Sequence, residues 1–259
     1  MRIVVCIKQV PSSNEVKMDP VTKTIIRDGK QSVINPYDSF AVEETIRIKR
    51  KTGAETIALS MGIPSAEEII RDSIARGIDR GMLLSDRNFA GSDTLATSYT
   101  LSLGIRELGK VDMILCGKLA IDGDTAQIGP ELAEHLQIPH ITDVDEFLEI
   151  HEDKVICKKS DEKHSTVLEV RLPALFTLNK DINNPRLPSI SGVLDSLNKK
   201  VDICDSQKLK AEASMLGTAG SPTHVVRTFI PQSSKNTVMI EGKLEHKASR
   251  IIEIIREES

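Results

Sequence analysis

Val111-Asp112-Met113-Ile114-Leu115-Cys116-Gly117-Lys118-Leu119-Ala120-Ile121-Asp122-Gly123-Asp124-Thr125-Ala126-Gln127-Ile128-Gly129 is the stretch on which the fold turns. Residues 111–116 suit a strand buried on both faces, Gly117 ends it, and after a polar loop residues 125–136 read as a helix. Three similar units precede it. An apolar strand over residues 2–8 is followed by an excursion over 14–34, a possible hairpin turning at Asp28-Gly29. A helix then opens at Asn35-Pro36-Tyr37-Asp38 and closes at Gly53, its stripe formed by Ala41, Val42, Thr45, Ile46 and Ile48. Strands over 54–61 and 81–84 alternate with helices over 64–75 and 92–108. This alternation predicts an α/β fold, a parallel sheet with helices on both faces.

After residue 138 the pattern changes. Residues 141–150, 154–159 and 166–178 read as further strands, and beyond Asn179 the period is lost. We therefore expect an α/β domain over 1–178. Residues 179–259 are expected to form an extended arm ending in an amphipathic helix with Leu244, Ala248, Ile251, Ile252 and Ile255 on one face.

Composition removes several classes. A net charge of −4 argues against a general nucleic-acid binder. No segment approaches the ~20 apolar residues of a membrane span, and the N-terminus lacks a signal-peptide pattern. The four cysteines (Cys6, Cys116, Cys157 and Cys204) have no metal-ligand spacing and point to a reducing compartment, the cytoplasm. Aromatic residues are only 3% of the chain, so the core must be aliphatic.

Ligands of open parallel sheets sit beyond the carboxyl ends of the strands, which directs attention to the 117–129 loop. It is neither a Walker A nor a G-x-G-x-x-G motif. Gly117 and Gly123 would let backbone approach a phosphate, and Thr125 and Gln127 could donate to one. Asp122 and Asp124 would repel phosphate and are expected to cap the helix or to contact a ribose or an amide. By the residues alone a plain connecting loop is equally compatible. Thr94 and Thr97, three apart at a helix start, would suit a diphosphate; an ordinary cap by Ser92 or Asp93 with two exposed threonines is the plainer reading. Glu43-Glu44 and Glu67-Glu68 are expected to face water. No histidine lies near a serine or cysteine in a way that implies a nucleophilic triad.

Several segments in order resemble the electron-transfer flavoprotein β-subunit family. They are Val4-Val5-Cys6-Ile7-Lys8-Gln9-Val10-Pro11, Ile34-Asn35-Pro36-Tyr37-Asp38-Ser39-Phe40-Ala41-Val42-Glu43-Glu44, Arg76-Gly77-Ile78-Asp79-Arg80-Gly81 and the 117–129 loop. Leu172-Pro173-Ala174-Leu175-Phe176-Thr177, Asn184-Pro185-Arg186 and Gly220-Ser221-Pro222-Thr223 continue the likeness. One departure is Ser160-Asp161-Glu162-Lys163-His164, where the family has an acidic and glycine turn.

The resemblance implies a Rossmann-like domain of the adenine nucleotide α hydrolase type, with an arm wrapping an α-subunit. It assigns nucleotide contacts to Cys6, Asn35, Pro36, Tyr37, Asp38, Ala58, Gly117, Lys118, Asp122, Gly123, Asp124, Thr125, Ala126, Gln127 and Ile128, with Cys6 and Ala58 lining an adenine. Ordinary members hold AMP here. Likeness to a bifurcating subgroup implies FAD instead, with Thr94, Thr97 and Asp122 making the added contacts. It implies NADH as hydride donor, with ferredoxin or flavodoxin as one electron acceptor and an acyl-CoA dehydrogenase-type enzyme as the other. No side-chain catalyst is expected, the chemistry belonging to the flavin. Leu187-Pro188-Ser189-Ile190-Ser191-Gly192 resembles a docking loop with Ile190 as its anchor. The alternatives are a structural AMP without bifurcation and a non-redox adenine-nucleotide regulator. A hydrolase using Asp122 and Asp124 ranks lower.

Overall fold

The structure, a computed structural model, describes residues 1–12, 32–226, 237 and 239–258. Its centre is a nine-stranded sheet. Strands β1 (Arg2–Cys6), β4 (Glu55–Met61), β5 (Arg80–Leu84), β6 (Met113–Gly117), β7 (His140–Ile150), β10 (Ala174–Leu178) and β11 (Val201–Cys204) run parallel, while β8 (Lys154–Ser160) and β9 (Ser165–Arg171) extend one edge antiparallel. The order is β11-β5-β4-β1-β6-β10-β7-β8-β9. Two short strands, β2 (Gln9–Pro11) and β3 (Ser32–Ile34), pair antiparallel outside this sheet. They flank the expected hairpin, whose turn at Asp28-Gly29 lies outside the described residues.

Two apolar layers cover the sheet. Val5, Ala58, Leu83 and Leu115 face the layer containing α1 (Pro36–Thr52) and α2 (Glu67–Arg76). Cys6, Leu59, Leu84 and Cys116 face the layer of α3 (Thr94–Glu107) and α4 (Ile128–Leu136). The period of two along each strand divides the residues between layers, and each helix buries one stripe against its layer.

Three expectations need correction. The strand expected over 166–178 is two strands. Leu172-Pro173 separates them, because proline has no N–H for a ladder. After the break β10 inserts between β6 and β7, in the interior of the sheet. Second, the arm does not begin at 179. Helix α5 (Ile190–Asn198) packs on α2, and β11 adds a strand beside β5, so the compact unit runs from Met1 to His224 and only Val225–Ser259 stands as a second unit. Within that second unit the final helix, α6, spans Leu244–Glu258.

Third, Glu43 and Glu44 are buried. The Glu43 carboxylate accepts two bonds from the Arg186 guanidinium at 2.7 Å each, and Glu44 accepts from Asn183 Nδ2 at 3.0 Å. These acids tie the segment before α5 to the flank of α1. No sequence period signals such pairing, since both partners come from loops distant in the chain. Among the described residues, no helix is long and apolar enough to cross a membrane.

Candidate functional site

From β1 the chain steps outward through β4 and β5, then returns to place β6 on the other side of β1. The carboxyl ends of β1 and β6 therefore form the switch in strand order, where a crevice opens in sheets of this kind. Cys6 and Cys116 are register partners at this point. Both are buried on the α3/α4 face, and hydrogen bonding to Cys6 together with burial holds the Cys116 thiol well above its ordinary value. These thiols are apolar floor rather than nucleophiles.

The start of α1 sits against the end of β6. A methyl at Gly117 would lie 2.4 Å from Asp38 Oδ1, 2.7 Å from the Tyr37 carbonyl carbon and 2.8 Å from Asp38 N. Only glycine permits that approach. Asn35, fully buried, spends its side chain on the next loop rather than on a cap: Nδ2 donates to Leu119 O at 2.8 Å, and Oδ1 accepts from Ile121 N at 3.2 Å. Asp38 Oδ2 accepts from Lys8 N at 2.7 Å. Burial pushes the Asp38 carboxyl up to about 7, against the pull of bonds from Asn35, Lys8 and Gly117 and of the Lys8 charge.

The 117–128 loop then rises to the surface. Gly123 N and Asp124 N both bond to Ala120 O, closing a turn. Asp124 (φ 52°) and Ala126 (φ 54°) are left-handed, an uncommon state for residues with a Cβ. Among the described residues none accepts a hydrogen bond from the N–H of Thr125, Ala126 or Gln127. No side chain caps α4, which begins just after Gln127. The result is a run of donors at a helix start, an arrangement that favours an anion. The helix expected from 125 starts at Ile128, because those residues form this loop instead.

Neither Asp122 nor Asp124 caps α4. Asp122 pairs with Lys8 Nζ at 2.7 Å, and Lys118 pairs with Asp143 at 3.1 Å. Both pairs are partly exposed and contribute little to stability. Pro36 is exposed and Tyr37 half-buried at the first turn of α1. Ala58 is not brought to the others. It lies fully buried in the α1/α2 layer, opposite the face carrying Cys6; the register pairs Cys6 with Leu59 and Ala58 with Val5.

The start of α3 lies beside that of α4. Thr94 Oγ1 donates to Glu131 Oε1 at 3.0 Å, and Ser98 bonds the other oxygen at 3.3 Å. Thr97 is half-buried in the same first turn. Asp93 caps α3 by accepting from Ala96 N at 3.1 Å. Glu131 was not singled out from the sequence, and Lys8 was quoted there only within the first-strand segment with no role, although an acid in a first helical turn and a lysine just past a strand end are ordinary signals.

Residues 22–204 match the electron transfer flavoprotein domain family. The chain belongs to this family. It is 44% identical to the electron transfer flavoprotein subunit beta of Thermoanaerobacterium thermosaccharolyticum, over 98% of this chain and 97% of that protein. It is 43% identical to the caffeyl-CoA reductase–Etf complex subunit CarD of Acetobacterium woodii, over 93% and 92% of the two chains. Identity to the acryloyl-CoA reductase electron transfer subunit gamma of Anaerotignum propionicum is 39%, over 98% and 97%. As an electron-transfer flavoprotein β-subunit its role is electron transfer, in a family associated with flavin. The unbonded amides of 125–127 and the uncapped α4 fit the phosphate of an adenine nucleotide.

Proposed function

We propose that this electron-transfer flavoprotein β-subunit works with an α-subunit and holds FAD, not AMP, at the β1/β6 switch. When bound, that flavin would supply the redox chemistry: hydride from NADH in, single electrons out to ferredoxin or flavodoxin and, through the α-subunit flavin, to an acyl-CoA dehydrogenase-type enzyme. The chain's own residues bind and orient. Asn35 would hold the loop, amides 125–127 a phosphate, and Cys6 an edge of the adenine. The observation that carries the FAD reading is the meeting of the α3 and α4 starts, which puts Thr94 one hydrogen bond from α4. Hydroxyls there would serve the part of a dinucleotide that AMP lacks.

Two observations support the wider assignment. Relatives carry names of acyl-CoA reductase systems. Leu187, Ile190, Leu194 and Leu197 are all more than half exposed along α5 and its lead-in, and Ile190, at 84%, would anchor a partner. The four free cysteines, all buried, support residence in the cytoplasm. One observation favours AMP instead: the Glu131 carboxylate occupies Thr94's hydroxyl and would repel a second phosphate. Acid extraction and chromatography of the purified αβ complex test the choice. Two FAD per heterodimer without AMP is the expected result; one FAD with one AMP would leave the single-flavin carrier.

A further inference from the structure

Gly220-Ser221-Pro222-Thr223 has no place in the site so far, yet it grips the start of α3. Asp93 is the centre of this grip. Its Oδ1 accepts from Ala96 N at 3.1 Å as the helix cap, and its Oδ2 accepts from Thr223 N at 3.0 Å. Its own N–H donates to Ser221 Oγ at 2.8 Å, and Ser221 donates on to Gly217 O at 2.6 Å. Desolvation raises the Asp93 carboxyl, but bonds from Thr223, Ala96 and Ser221 outweigh it and hold the group below its usual range, so it stays charged.

The two segments also interlock sterically. A methyl at Gly91 would lie 2.6 Å from Thr218 Cγ2, and one at Gly217 (φ 51°) would lie 2.4 Å from Asn88 O. Ser221 is buried. Residues 88–93 therefore cannot shift without 217–223, which is the last stretch of the compact unit before it ends at His224.

We propose that the 217–223 segment, acting through Asp93, is the positioning element that fixes Thr94 and Thr97 and so favours the longer dinucleotide over AMP. This rests on the FAD reading above. The AMP half would be held by Asn35 and the 117–128 loop, which share no hydrogen bond with 217–223. The flavin half would depend on the start of α3. Loosening the brace should therefore weaken FAD and leave AMP alone, whereas general damage would weaken both.

Thr223→Pro removes the N–H that reaches Asp93, together with the hydroxyl that also bonds it, without touching α3, while Thr223→Ser keeps both. With the αβ complex stripped of β-site nucleotide, titrations with FAD and with AMP should show Thr223→Pro roughly five-fold weaker for FAD, the fold-change of losing one good hydrogen bond. AMP binding should be unchanged and Thr223→Ser should match the wild type. Ser221→Ala should reproduce the effect should Thr223→Pro fail to fold. Equal losses for both nucleotides, or no loss for FAD, would overturn the proposal. Should the wild type itself take only AMP, the FAD reading fails, and the brace is judged by hydrogen exchange at the Ala96 and Thr97 amides. Faster exchange in Thr223→Pro than in Thr223→Ser supports it, and equal exchange sinks it.

Discussion

Helices α3 and α4 begin side by side, yet one start is closed and the other open. Asp93 caps α3 by accepting from Ala96 N and is itself bonded to Thr223 N, so that helix start carries a side-chain cap tied to a second segment. Helix α4 has no cap, is preceded by two left-handed residues, and has free donors at 125–127. Closing a helix start normally stabilises it by about 1 kcal/mol. On the function proposed above, the difference would separate two tasks, α3 holding side chains still and α4 accepting an anion from outside. The α4 loop in turn rests on a third start, that of α1, through Asp38, Asn35 and Gly117.

Asp38 offers the largest lever on this arrangement. Its folded value of about 7 lies above the ordinary 3.8, so between those values the folded chain keeps a proton that the unfolded chain releases. Stability from this group therefore falls as pH rises through that window and levels off above it, by roughly 4 kcal/mol in all. Urea unfolding of wild type and Asp38→Asn from pH 4.5 to 8 should show the variant gaining relative to wild type with rising pH. Parallel curves would mean that Asp38 is not buried as described. Next comes Gly117→Ala, whose methyl would meet the Asp38 carboxylate and, just beyond it, the Tyr37 and Asp38 backbone, which cannot swing aside as a side-chain tip can. We expect about 3 kcal/mol lost in urea, and with it nucleotide binding. A variant that keeps both would show that the α1 and β6 ends are not pressed together.

These contacts also mark how far sequence reading reached. The strand–helix alternation was legible because each central strand is an apolar run bounded by a glycine or a polar loop. The 117–128 loop was legible from its glycines and place after a strand. Ala58 was misplaced relative to Cys6 because the face of a strand depends on inter-strand register, which a single chain does not display. Helix α5 was missed although Ile190, Val193, Leu194 and Leu197 keep helical spacing. That stripe faces outward and follows a stretch broken by Pro185 and Pro188. The four residues of β11 are too short to carry a period at all. Burial of Glu43 was hidden because Arg186, its partner, lies in a loop far along the chain.

The contrast between helix starts can be measured directly. Asp93→Ala removes a cap and the Thr223 contact and should cost about 1 to 2 kcal/mol. Gln127→Ala, at the corresponding position of α4, should change stability by less than about 0.5 kcal/mol, since its side chain caps nothing. Equal losses in urea unfolding would erase the distinction between a closed and an open start.

The smallest effect concerns the strain held in the open loop. Ala126 sits at φ 54°, where a Cβ is disfavoured by about 1 kcal/mol. Glycine relieves that penalty but enlarges the freedom of the unfolded chain, so Ala126→Gly should shift stability by no more than about 0.5 kcal/mol. Its effect on binding should have the opposite sense to a simple relief of strain. Alanine narrows the states open to the loop, and the more mobile glycine must be ordered when an anion arrives. Titration of the αβ complex with AMP should therefore show weaker binding for the variant despite unchanged or slightly higher stability. Tighter binding by Ala126→Gly would mean that the left-handed turn opposes the nucleotide, and that α4 is open for some other reason.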